Sequence, residues 1–292
     1  MRFSYAESMT DPSFYAPLAR AAEEAGYDSM VVPDSICYPQ HSGSRYPFSP
    51  DGSREFLEDK PFIEPFSLIP ALGAVTTRLR FVTFVLKLPV RSPVLVAKQA
   101  TSTAVLTGGR LVLGVGTSPW REDYEVTGVP WADRGRRMDE ALAVIRGLSA
   151  GGYFEYHGKV FDFAPVKIAP VPGEPIPILI GGHSGAALRR AARVGDGWLH
   201  GGGDLAQLPG LLARLAEFRQ QAGTAGRPFE VHAISAGAYT ADGVRRLAEQ
   251  GVTDAIVGFR WPYQAGPDRE PLTGKIASLR RYADDVIGKL NR

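Results

Sequence analysis

Short aliphatic and β-branched runs alternate with amphipathic stretches eight times along this 292-residue chain. No other feature narrows the available folds as much. The runs fall at 3–6, 30–32, 79–85, 110–116, 176–180, 198–199, 229–236 and 255–259. Strands this uniformly apolar are buried on both faces, which requires a parallel sheet covered by helices. Helical spacing supplies the cover. Phe14, Leu18 and Ala22 share one face, and so do Val96, Ala97, Ala100 and Ala104. Met138, Ala141, Leu142, Ile145 and Leu148 form a third face, and Leu208, Leu211, Leu212, Leu215 and Phe218 a fourth. Asp11-Pro12 reads as an N-cap followed by proline at the first helical position, and Gly26 as the left-handed residue that ends that helix. Eight strand–helix units predict an α/β protein whose sheet closes into a (β/α)8 TIM barrel, with 1–292 as one domain.

Two connections are too long for simple turns. The first, 35–60, is polar and rich in Pro, Ser, Gly and Tyr. It follows the second strand, so in a barrel it lies at the catalytic mouth, where it reads as a substrate lid. The second, 151–174, is an insertion after the fourth strand. It reads as a structural insertion containing a hairpin over 153–163 that turns at His157-Gly158.

Composition excludes several function classes. A net charge of +2, from 33 Lys+Arg against 31 Asp+Glu, leaves no global field for nucleic acid or an anionic membrane. The longest stretch without Asp, Glu, Lys or Arg is 175–188, 14 residues containing three Gly and two Pro. A spanning helix needs about 20 apolar residues, so no membrane span is expected. The first residues show no basic flank before an apolar core. With a single cysteine, Cys37, this fits a cytoplasmic protein in a reducing compartment.

In a barrel, chemistry sits at the C-terminal ends of the strands. These positions are Glu7, Asp34-Ser35, Phe84 to Lys87, Gly116 to Trp120, Gly181 to Ser184, His200 to Gly203, and Arg260-Trp261. No HExxH, CxxC, GxSxG or phosphate-loop motif occurs, and the five histidines lack tight metal-ligand spacing, so no metal is expected. Gly181-Gly182-His183-Ser184 joins a strand to a helix. Bare glycine backbone and a helix N-terminus suit a phosphate, and Ser184 can both cap the helix and donate to a phosphate oxygen. The same residues also make an ordinary tight turn. Gly201-Gly202-Gly203 opens the next helix and is a weaker version of the same signal. Gly114-Val115-Gly116-Thr117 fails the dinucleotide pattern at Pro119, yet small residues there permit close approach of a flat ring. Glu7 and Asp34 read either as acids that position or protonate a substrate or as structural carboxylates. His200 faces the mouth or is a satisfied structural histidine. Tyr38, Tyr46 and Phe48 cover a heteroaromatic ring or pack the loop.

The chain resembles the bacterial luciferase-like flavin and deazaflavin oxidoreductases over most of its length. The resemblance rests on Ala22-Glu23-Glu24-Ala25-Gly26-Tyr27-Asp28, Ala74-Val75-Thr76-Thr77-Arg78, Pro93 to Gln99, Leu106-Thr107-Gly108-Gly109-Arg110 running to Gly116, Arg134 to Glu140, and Pro175 to Gly182 continuing to Gly195-Asp196-Gly197-Trp198. The Tyr46-Pro47-Phe48-Ser49-Pro50-Asp51-Gly52 loop is similar to a subgroup regarded as using coenzyme F420. The resemblance implies a cofactor ring at the barrel mouth, against Thr83, Phe84 and Val85. It also implies a non-proline cis peptide at Phe84–Val85 and a cofactor phosphate at Gly181-Gly182, where Gly116, Thr117, His183 and Ser184 join the binding set. Many relatives carry Asp-His after the second strand. Here the pair is Asp34-Ser35, so a histidine-dependent mechanism requires His41 or His200 in that place.

The expected function is therefore F420-dependent hydride transfer to or from a small organic substrate, with Glu7, Asp34, Ser35 and His200 as candidate catalytic residues. Two alternatives remain: an FMN-dependent monooxygenase, and a barrel that kept the cofactor pocket but lost catalysis. The anionic cofactor tail calls for basic residues at the mouth, for which Lys87, Arg91 and Arg121 are candidates. Relatives often pair, so a homodimer is expected.

Overall fold

Eight parallel strands hydrogen-bond into a closed ring in a computed structural model that describes residues 1–49, 51–260 and 265–290. In chain order they are β1 (Arg2–Ala6), β2 (Ser29–Val32), β3 (Arg80–Thr83), β4 (Leu111–Gly116), β5 (Ile178–Gly181), β6 (Gly197–His200), β7 (Glu230–Ile234) and β8 (Asp254–Val257). β1 pairs with both β2 and β8. The ring shuts where β3 lies beside β4, with Phe81 opposite Leu111 and Val82 opposite Val112. Around the ring run α1 (Tyr15–Glu24), α2 (Pro65–Gly73), α3 (Pro93–Leu106), α4 (Arg121–Val126), α5 (Arg134–Ser149), α6 (Gly185–Val194), α7 (Leu208–Gln221), α8 (Ala241–Glu249) and α9 (Leu272–Tyr282). The expected (β/α)8 barrel is present.

Alternation along each strand divides the core in two. Val31, Val82, Val112, Leu179, Leu199 and Ile256 point inward and fill the barrel. Their outward neighbours, among them Met30, Phe81, Leu113, Ile180 and Trp198, pack under the helices. The local signals act as their chemistry predicts. Asp11 accepts the Ser13 N–H at 2.9 Å, and Gly26 takes a φ of +89° just beyond α1.

Three features differ from the reading above. The run 79–85 is not one strand. Its ladder stops at Thr83, passes the cis Phe84–Val85 peptide that the resemblance implied, and resumes as Leu86–Lys87 beside β4. Helix α2 escapes the periodicity argument because it is apolar nearly all round, with Phe66, Leu68, Ile69 and Leu72 buried and Pro70 inside it. The second insertion follows α5 rather than a strand, which places it away from the mouth. Its hairpin, Phe154–His157 with Asp162–Val166, rests on α5, where Glu140 accepts the N–H groups of Lys159, Val160 and Phe161 at 3.0–3.1 Å. Among the described residues no helix is long and apolar enough to cross a membrane.

Candidate active site

A cavity of about 750 Å³ opens at the C-terminal ends of the strands. Its floor is the upper layer of the barrel interior: Leu199, Ile234, Ile256, Phe84 and Val85. Its roof is aromatic. Tyr46, Phe48 and Phe56 reach in from the 35–60 loop, and Trp120 from the start of α4. Tyr46 stacks on Trp120 at 5.7 Å with ring planes 10° apart, and meets Phe48 and Phe56 edge-on at 5.6 Å each. The long loop therefore lies over the mouth, as the lid reading expects. Tyr38 takes no part in the lining; it sits under the Arg54 guanidinium, 4.4 Å away. Pro50 of the loop motif and Trp261 lie outside the described residues.

The glycines at the strand ends make room for protein atoms rather than for a ring. A Cβ on Gly114 would fall 2.0 Å from the Thr83 carbonyl oxygen. Cβ atoms on Gly116 and Gly181 would each come within 2.8 Å of the Val85 side chain, which occupies the space the sequence reading assigned to the cofactor. The run Gly201 to Gly203 likewise receives the lid, since a Cβ on Gly201 would meet the Phe48 ring at 2.9 Å. Thr83 is fully buried and donates to the Gly114 carbonyl at 2.7 Å. Thr83 and Gly116 therefore support the floor from behind, whereas Phe84, Val85 and Thr117 face the cavity.

Among the described residues, each charged side chain that borders the cavity is already matched. Glu7 accepts from Tyr5 at 3.0 Å and pairs with Arg260 at 3.3 Å and Lys275 at 3.1 Å. Asp268 meets the same two cations at 3.5 and 2.8 Å. Asp34 is held by Arg91 at 3.0 Å and by the Lys87 N–H at 2.9 Å. Burial pushes the Asp34 carboxyl above the usual carboxylate range, against the pull of Arg91. Lys87 pairs with Asp123 at 2.8 Å, and the Ser118 hydroxyl donates to the same carboxylate. Lys87 and Arg91 are thus committed to internal carboxylates, and Arg121 to Glu125 at the surface, so the basic group expected for a cofactor tail is not found there. Ser35 lines the cavity with no hydrogen-bond partner among the described residues.

His200 stands behind the wall. It is fully buried, hydrogen-bonded from Nδ1 to the Ile234 carbonyl at 3.0 Å, and stacked on His183 at 4.6 Å. Burial, aided by its histidine neighbour, lowers its pKa to about 4. His183 accepts the Gly201 N–H at 3.2 Å and is likewise pushed down by burial. Both rings are neutral near pH 7, and His41 is exposed outside the cavity.

The turn into α6 has the features of an anion cradle. Gly182 lines the cavity with φ +119°, and its carbonyl accepts from the Trp198 indole at 2.9 Å. Ser184 caps α6 by accepting the Ala187 N–H at 3.2 Å, which leaves its own proton free to donate. The Arg214 and Arg189 guanidinium groups approach Gly185; a Cβ there would lie 3.0 and 3.4 Å from them. Sequence reasoning missed both arginines, because they come from the bodies of α6 and α7 and carry no motif. It also missed Phe56 and the buried Lys275. At the opposite, N-terminal end of the barrel, Glu230, His232 and Asp254 gather within ligand distance of one another, but Arg2 and Arg80 already neutralise the carboxylates.

Comparison with known proteins bears on the family and the fold. A family model described as luciferase-like monooxygenase matches residues 4–285. An uncharacterised protein of Mycobacterium tuberculosis is 61% identical over 290 residues, 99% of this chain and 100% of that protein. An F420-dependent glucose-6-phosphate dehydrogenase of Nakamurella multipartita is 31% identical over 205 residues, 68% of this chain and 56% of that protein. Among solved structures, the coenzyme F420-dependent tetrahydromethanopterin reductase of Methanopyrus kandleri superposes with a TM-score of 0.74 at 15% identity, covering 99% of both chains.

Proposed function

Because this chain belongs to the luciferase-like monooxygenase family, we propose that it is an F420-dependent oxidoreductase that moves a hydride between the deazaflavin and a small organic substrate under the lid. The observation that carries the reading is the cradle at the start of α6. There Gly182 meets the open mouth, His183 and Ser184 continue the turn into the helix, and Arg189 and Arg214 lie beside the helix end. Helix N–H groups and two guanidiniums suit a phosphate. The residues present thus fit a phosphate-bearing cofactor, and Phe84, Val85 and Thr117 would hold its ring. The curated F420-dependent relatives support the deazaflavin.

When bound, the cofactor supplies the redox chemistry. The chain supplies orientation and a dry, aromatic-roofed space. Glu7 and Asp34 hold the walls through their ion pairs, and Ser35 offers the substrate a hydroxyl. His200, buried and neutral, positions His183 by stacking rather than donating a proton. The family's description as monooxygenases favours a second reading, in which FMN takes the same place and activates oxygen. Titration of apo-protein with each cofactor separates the two. F420 binding without FMN binding is expected; tight FMN binding with none for F420 overturns the proposal, and binding of neither removes the cofactor site.

A further inference from the structure

The charges around the mouth cancel one another before any ligand arrives. Among the described residues the cavity is bordered by Glu7, Asp34, Lys87 and Arg260, and each has a protein counter-ion within 3.3 Å. The residues outside the description add no acid and only one base, Arg292. An ionised ligand group placed beside these pairs would lose its hydration without gaining an uncommitted partner, and would compete with a pair already formed. The remaining surface is apolar floor and flat aromatic roof, where Tyr46 and Trp120 lie nearly parallel. Such a wall favours conjugated or aromatic ligands.

We infer that the substrate is a neutral, mainly apolar molecule with a planar portion and no ionised group. This rests on the reading of the cavity as the substrate site of a redox enzyme. Recognition comes from ring stacking and from neutral hydroxyls such as Ser35, while the one anion-binding position, at α6, serves the cofactor.

A matched pair of probes tests it. 2-Acetylnaphthalene and 2-naphthoate share a ring system and differ in charge. Calorimetric titration into the purified protein, with and without saturating F420, should show the neutral ketone binding about tenfold or more tighter. Equal or tighter binding of naphthoate overturns the inference. So does F420 binding with no binding of either probe, an outcome that leaves the cofactor proposal intact. Preference for the ketone in a protein that binds neither F420 nor FMN supports the inference about the cavity and removes the cofactor. Asp123→Asn gives an independent check. It uncouples Lys87 and should raise naphthoate affinity about tenfold. An unchanged value, in a variant whose thermal unfolding shows it folded, counts against pairing as the reason anions are refused. Trp120→Ala should weaken the ketone about tenfold, and an unchanged affinity in a folded variant counts against stacking.

Discussion

Ser184 combines two tasks at one oxygen: it accepts the Ala187 N–H to cap α6, and its own proton remains available to donate to the proposed phosphate. The tasks can be separated. Ser184→Asp keeps an effective cap but puts a negative charge in the cradle. Cofactor affinity should fall about tenfold or more while the melting temperature stays within about 2 °C, read by fluorescence titration and calorimetry. Retained affinity would move the phosphate elsewhere. His200 supplies a pH dependence. Its ordinary value is 6.5 and burial takes it to about 4, so the unfolded chain takes up the proton first as pH falls. Stability is then whole above about pH 6.5 and declines toward pH 4, with His183 acting in the same direction. Between pH 7.5 and 5 the His200 contribution to the loss is about 2 kcal/mol. His200→Asn should reduce that loss in paired urea titrations at the two pH values. At this scale the sequence singled out Glu7, Asp34, Ser35 and Ser184 as candidates. It left open which of them are committed to partners, because the partners lie far along the chain.

Among the elements, β3, β4 and β5 depend on one another through Val85. The side chain leaves the end of β3 and settles over Gly116 of β4 and Gly181 of β5, 2.8 Å from where either Cβ would stand. Gly116→Ala should therefore destabilise the barrel by about 1–3 kcal/mol through overpacking. Adding Val85→Ala should recover most of that loss, a coupling measurable by a double-mutant cycle in chemical denaturation. If the two effects simply add, Val85 is not what the glycine accommodates. Amphipathic helices such as α6 and α8 were legible because their buried faces recur at helical spacing. α2 was not, because an element buried on nearly every side carries no periodic contrast. The glycines at the strand ends were legible as glycines, but not as sockets for Val85 and Phe48, since close approach belongs to the packed pair rather than to either residue.

For the whole molecule, closure is the central event: β1 pairs with β8, and α9 packs on α1. Lys275 of α9, 1% exposed, reaches Glu7 just beyond β1 and also Asp268. Removing its charge leaves both carboxylates to share Arg260 as their cation. Lys275→Met should cost about 3–5 kcal/mol, and Lys275→Met with Glu7→Gln should recover part of it, as read by guanidinium denaturation. A Lys275→Met protein as stable as the parent would show that this buried pair does not hold the ring shut. The strand count, most of the helical cover, the long 35–60 segment and the glycine turn at 181–184 were legible in the sequence alone, because periodicity, capping and glycine placement act over a few residues. Whether the mouth is charged or electrically quiet, and whether a glycine admits a cofactor or a valine, was decided only in three dimensions. Neutralisation and packing join residues as far apart as Glu7 and Lys275, and only the closed ring brings them within reach.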